Sequence, residues 1–281
     1  MKKIFLFVCA AVLSFAAEAQ LQTPAPSPFQ KIEQKVGLTD VTLEYSRPSM
    51  KGRKIFGGLV QYDKLWRTGA NACTKITFSN AVQIGGKNVE AGTYAVYTKP
   101  GAQNWEVYIY SDASNWGTPG EWDQNKVVAS TKARVAPIPM EVETFTMSFD
   151  DLTNNSVNLG MMWENTYVAL PITVYTDKMV SASIDAVMAG PNSNDYYQAA
   201  VYYLESGKDI NKAKMWIDKA IEMREQPAFW FHRQQSLIYA KSGDKTGAIN
   251  AAKKSLELAQ AAGNDDYVAL NTKSLKEWGA M

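Results

Sequence analysis

The stretch VNLGMMWENTYVALPITVY, residues 157–175, reads in twos. Val157, Leu159, Met161 and Trp163 fall on one side of an extended chain, and Val168, Leu170, Ile172 and Val174 do so again. The residues that follow, TDKMVSASIDAVM (176–188), read in threes and fours, with Met179, Val180, Ile184, Val187 and Met188 at helical spacing. A period of two belongs to a strand with one buried face, and a period of 3.6 to an amphipathic helix. The change near Tyr175 divides the chain into a β domain, residues 31–176, and a helical domain, residues 177–281.

Upstream, the same alternation marks Val41/Leu43/Tyr45, Tyr94/Val96, Trp105/Val107/Ile109 and Phe145/Met147/Phe149. Val82 and Ile84 are separated from Val89 by a turn containing Gly85-Gly86, and a two-residue primed turn there would pair Val82 with Val89. Short strands divided by Gly, Pro and Asn turns predict an all-β antiparallel sandwich or open barrel. Downstream, Gly190-Pro191 stops the first helix, and the chain then repeats itself. Gly207-Lys-Asp209 leads to Ala213, Ile217 and Ala220; about 35 residues later Gly243-Asp244 leads to Ala248, Ala252 and Ser255. Small residues at those places let antiparallel helices approach closely. The spacing is similar to the tetratricopeptide repeat, a 34-residue helix–turn–helix unit. An ordinary helical bundle is the alternative.

Lys2 and Lys3, the apolar run Ile4–Phe15 and Ala17-Glu18-Ala19 have the order of a secretory signal peptide over residues 1–19. Its apolar run is too short for a bilayer, which needs about 20 residues. A Pro-rich linker, residues 20–30, follows. The expected destination is the periplasm or the cell exterior, with no transmembrane segment. Cleavage would remove Lys2, Lys3 and Glu18 and so leave 27 basic and 27 acidic residues of the original 29 and 28. A neutral chain offers no global attraction to nucleic acid. Of the two cysteines, Cys9 lies in the leader, so Cys73 has no partner for an internal disulfide.

The run Ser46-Arg-Pro-Ser-Met-Lys-Gly-Arg-Lys-Ile-Phe-Gly-Gly-Leu-Val60 leads into Leu65-Trp-Arg-Thr-Gly-Ala-Asn71, followed by Ala91-Gly-Thr-Tyr-Ala95, Lys99-Pro100, Trp105 and Trp116-Gly117. These residues resemble domain of unknown function 2911, a family of exported bacterial proteins. The resemblance covers roughly Phe29 to Tyr175 and implies a fold and an exported setting, but no reaction. Asp63 stands where that pattern has Gly.

The loop from Arg47 to Asn71 lacks a period and gathers Arg47, Arg53 and Arg67 beside Trp66. One reading makes the guanidinium groups a clamp for carboxylate, sulfate or phosphate. The other has each arginine tying loop carbonyls together, with Trp66 as a buried plug. Convergence of the three on an open pocket would favour the first. Trp116 and Trp122, in a Gly/Pro-rich segment, form a candidate sugar platform, whereas Trp105 and Trp163 sit in phase with core faces. In the helical domain Tyr196, Tyr203, Phe229 and Trp230 are candidates for a partner surface that grips a protein or peptide.

Catalytic arrangements find little support. The sole histidine, His232, lies in the helical domain, so the β domain has none for a Ser-His-Asp relay. One His and one Cys cannot build a zinc site, and no phosphate loop or dinucleotide fingerprint is present. Asp150-Asp151 and Asn154-Asn155 read as turn formers rather than a calcium loop. No cofactor is implied. The leading expectation is a non-enzymatic binding protein; the alternative is a carbohydrate- or anion-binding, or hydrolytic, β domain acting through the Arg47–Asn71 loop.

Overall fold

The computed structural model describes residues 23–188 and 190–281; the expected leader lies outside them. The chain divides into two compact units between Thr176 and Asp177. The first unit holds nine strands among the described residues: β1 (Phe29–Val36), β2 (Thr39–Ser46), β3 (Thr74–Phe78), β4 (Val82–Ile84), β5 (Lys87–Val89), β6 (Gly92–Lys99), β7 (Asn104–Tyr110), β8 (Val127–Asp150) and β9 (Ser156–Val174). They form one antiparallel sheet in the order β1-β2-β3-β6-β7-β8-β9-β4-β5, not closed into a barrel. β1 begins inside the stretch expected as linker, because Phe29 and Gln30 already pair with Ser46 and Tyr45.

The inward positions are those the alternation nominates. Val157, Leu159, Met161, Trp163, Val168, Leu170, Ile172 and Val174 are all buried. The buried set shifts from odd to even numbers between Trp163 and Val168, and Glu164 sits at that shift with φ +51°. Such a left-handed residue lets one strand change which face it buries. The predicted hairpin is present, with Val82 opposite Val89 and φ positive at both Gly85 and Gly86. Each fully buried large side chain contributes about 1.5–3 kcal/mol, and Trp105, Trp163, Tyr45, Phe78 and Phe145 lie in this core.

β8 belongs to two neighbours. Its first residues, up to Arg134, pair with β7, and those from Val135 onward pair with β9. The β9 register breaks between Pro137 and Thr146, where β8 carries extra residues. The backbone freed there is taken up by the chain after β2. Met50 N donates to Glu143 O at 2.8 Å, Phe145 N donates to Pro48 O at 2.8 Å, and Ser49 bridges Thr144.

The second unit is helical: α1 (Thr176–Val187), α2 (Ser193–Glu205), α3 (Ile210–Glu222), α4 (Phe229–Lys241), α5 (Lys245–Ala261) and α6 (Asp265–Glu277). Asp209 and Asp244 cap α3 and α5 by accepting backbone N–H bonds. Ala213, Ile217 and Ala220 of α3 are buried, as are Ala248, Ala252 and Ser255 of α5, so the small residues of the repeat are where helices meet. Among the described residues no helix is long and apolar enough to cross a membrane.

Candidate functional site

The loop joining β2 to β3 is aperiodic but held at many points. Arg47 Nε donates to Phe145 O at 3.1 Å and its Nη2 to Thr146 Oγ1 at 2.7 Å. Further along, the Glu164 carboxylate accepts from the backbone N–H of Ile55 at 2.6 Å and of Phe56 at 3.2 Å. That anchor turns Phe56 into the core, where its ring meets Trp66, Trp105 and Trp163. Trp66 and Thr98 exchange backbone hydrogen bonds at 2.7 and 3.0 Å. Two residues later Thr68 is fully buried with φ +57°. A β-branched residue in the left-handed region is strained, and such residues concentrate at ligand clamps.

Within the first unit these anchors frame a cavity of about 420 Å³. Trp66 and Trp163 form one wall, stacked at 6.0 Å between ring centroids with an interplanar angle of 18°. Arg53, Arg67 and Asn71 supply the polar lining, and Trp116 stands at the cavity with 79% of its surface exposed. Arg53 donates from Nε to Met50 O at 2.8 Å and from Nη2 to Ser49 O at 2.7 Å. Arg67 donates from Nη1 to Asn71 O at 2.8 Å. Among the described residues neither arginine pairs with a carboxylate. Two cations therefore line one cavity with their charge uncompensated, which favours an anion there.

The segment carrying Trp116 is tied down around an untied ring. The Asp112 carboxylate accepts from Ser114 Oγ, Lys126 Nζ and Ser114 N, which together hold its carboxyl well below the usual carboxylate range. Cys73 N donates to Asn115 O at 3.2 Å, and Tyr97 Oη to Gly117 O at 3.2 Å. Gly117 has φ +105°, and a Cβ there would meet Arg67 Nη1 at 3.1 Å, so the glycine leaves room for the guanidinium. Burial raises the Cys73 thiol, which faces Ala113 O rather than the cavity. It is a small buried group, not a nucleophile.

Of the candidates read from sequence, Arg53, Trp66, Arg67, Asn71 and Trp116 come together at the cavity. Arg47 does not line it, because both its bonds lock the loop to β8. Trp122 does not line it either: its ring stacks on Tyr110 at 4.7 Å and meets Tyr97 and Tyr108 in a separate cluster. Trp163, which the alternation places in the core, is only 1% exposed, yet it also lines the cavity.

In the helical unit Tyr196 joins Met215, Trp216 and Lys219 along a groove of about 640 Å³. The other three candidates touch residues of their own unit, although Trp230 stays exposed. Tyr203 meets Trp216, Phe229 meets Tyr267, and the Arg224 guanidinium lies over Trp230. His232 is half-buried beside Gln235, and burial lowers its pKa.

Fold and cavity together define an open antiparallel β domain whose first long loop forms an arginine- and tryptophan-lined pocket, followed in the chain by a helical unit. The β domain carries the signature of a known family. Residues 27–172, just over half of the chain, match the model described as "Protein of unknown function (DUF2911)", and the chain belongs to that family. No curated protein and no solved structure matches it.

Proposed function

We propose that the β unit is a non-enzymatic binding module for a small anionic ligand, in a protein exported by an N-terminal signal peptide. One observation carries this reading. Arg53 and Arg67 line the same cavity, and among the described residues they bond only to loop carbonyls and retain donors without a partner. The cavity's size falls in the range of small-molecule sites, about 300–1,000 Å³. Arg53 and Arg67 are the titratable side chains lining it, which supports holding a ligand over proton transfer or nucleophilic attack.

Thermal-shift titration of the full chain with acetate, sulfate and phosphate tests the reading, since a ligand of the folded state raises its melting temperature. A charge-assisted bond of about 1.5–3 kcal/mol makes Arg67→Ala weaken binding about 10- to 100-fold. If no anion binds, or if binding is indifferent to both Arg67→Ala and Arg53→Ala, the reading fails.

A second reading concerns the helical unit, whose hairpins resemble tetratricopeptide repeats. The groove along α2 and α3 exposes Met215 (59%) beside Trp216, flanked by Lys219 and Glu222. An extended peptide with one apolar anchor suits that mixture. Peptides selected on the intact protein by display should lose binding to Met215→Glu; peptides indifferent to that change would remove this reading.

A further inference from the structure

We infer that the ligand of the β-unit pocket is an acidic saccharide, a pyranose bearing one carboxylate; this rests on the anion-site reading above. The inference comes from which donors and acceptors the loop leaves unused. Arg67 gives Nη1 to Asn71 O and keeps its Nε and Nη2 N–H groups without a partner among the described residues. That edge offers two parallel N–H bonds at the spacing of a carboxylate's two oxygens. Arg53 is the complement: its Nε and one Nη2 N–H are held by Met50 O and Ser49 O, which leaves the end-on pair of Nη1 and the second Nη2 N–H. The pocket thus contains one side-on fork and one end-on pair. A carboxylate is matched by the Arg67 fork, with the Arg53 pair left over for hydroxyls.

Asn71 narrows the class further. Its backbone sits at φ +60°, and its Nδ2 donates to both Ser27 O and Ser46 Oγ at 3.2 Å. With both amide hydrogens committed, Oδ1 is the group left to meet a ligand, and it can only accept. An acceptor beside two cations has no use for sulfate, for a phosphate dianion or for any ligand without donors. A hydroxylated ligand satisfies it. Trp116 supplies the last element. Its indole is highly exposed and touches no other ring among the described residues, while Asn115 and Gly117 on either side are anchored by Cys73 N and Tyr97 Oη. A bare indole on an anchored stretch of backbone, at the same cavity as the Arg67 guanidinium, is suited to the apolar C–H face of a sugar ring, with the hydroxyl edge turned toward the polar lining.

The test is a titration of the full chain, read by tryptophan fluorescence and by saturation-transfer NMR, with glucuronate, galacturonate, glucose, acetate and phosphate as probes. At least one uronate is expected to bind ten-fold or more tightly than both glucose and acetate. Arg67→Lys, which keeps the charge but loses the fork, should bring the uronate to the level of glucose. Trp116→Ala should weaken the uronate at least ten-fold and leave acetate unchanged; its exposed position makes folding of that variant secure, with circular dichroism as the check. Equal affinity for glucose and the uronates would overturn the inference, as would a uronate that binds no better than acetate or phosphate. If acetate or phosphate binds through Arg67 while the ring adds nothing, the saccharide inference falls and the anion site stands. If none of the five probes binds, both fall.

Discussion

The two units solve the problem of tying down polar groups in opposite ways. In the β unit the decisive bonds span long stretches of chain: Tyr45 Oη to Met147 O across 102 residues, Arg47 to Phe145 across 98, and Ile55 N to Glu164 across 109. In the helical unit they stay near at hand, as with Gln235 to Asp218 across 17 residues and Ser193 to Ala220 across 27. The difference teaches where a pocket can be built. A loop held from three distant strands keeps its side chains fixed without burying them, so Arg53 and Arg67 are placed while still open to a ligand. Neighbouring helix pairs instead close on small residues and leave shallow grooves.

The largest expected effect falls on the long-range side. Trp163→Ala removes a buried ring that touches Phe56, Trp66 and Phe145. It should cost about 3–5 kcal/mol, seen as an earlier denaturant transition in near-ultraviolet circular dichroism. The far-ultraviolet helical transition should stay in place; if both move equally, the contrast between the units is lost. Next comes Glu164→Ala, which leaves the Ile55 and Phe56 N–H groups without their acceptor. A cost of about 1–3 kcal/mol, together with faster amide exchange at residues 55 and 56, would sharpen the case for a loop held from afar. Unchanged exchange would break it.

On the local side, Asp209→Ala removes the cap of α3 and should cost about 1 kcal/mol. Amide exchange should rise at Asn211 and Lys212, whose N–H groups it caps, and not in the β unit. The smallest effect is a pH dependence. Because Asp112 has a depressed folded-state pKa, its contribution is present above the unfolded value of about 4 and is lost as the pH falls through the folded one. Trp116 emission should therefore be flat above about pH 5 and change in acid, and Asp112→Asn should abolish that change.

Much of the fold was legible because burial leaves a period. The faces of β9, the hairpin at Gly85-Gly86 and the passage from strand to helix at Thr176 were all written that way. β8 was not legible as one 24-residue strand, since Pro137 and Pro139 interrupt it and much of its first half alternates only weakly between exposed and half-buried. The pocket was half legible. Composition pointed to Arg53, Trp66, Arg67 and Asn71, but alternation says only that Trp163 faces a core, not that the core opens beside it. Trp122 misled because Gly and Pro neighbours imply exposure, whereas Tyr110, the last residue of β7, stacks on its ring. The Asn71 amide gave no signal, because its orientation depends on Ser27 and Ser46, which only folding brings near.

β8 and β9 also set a timetable. Chains are made from the N-terminus, and seven of the nine strands are complete once Tyr110 has emerged, yet parts of them still lack their partners. Pro48 and Met50 must wait for Glu143 and Phe145, and the β4–β5 hairpin has no neighbour until Ile172, Thr173 and Val174 arrive. A ribosome-bound chain released short of Glu143 would hold a loop without its β8 and β9 anchors, and one released short of Trp163 would lack that wall of the pocket. The pocket is thus among the last parts of the β unit to be completed, although the whole helical unit is still to come.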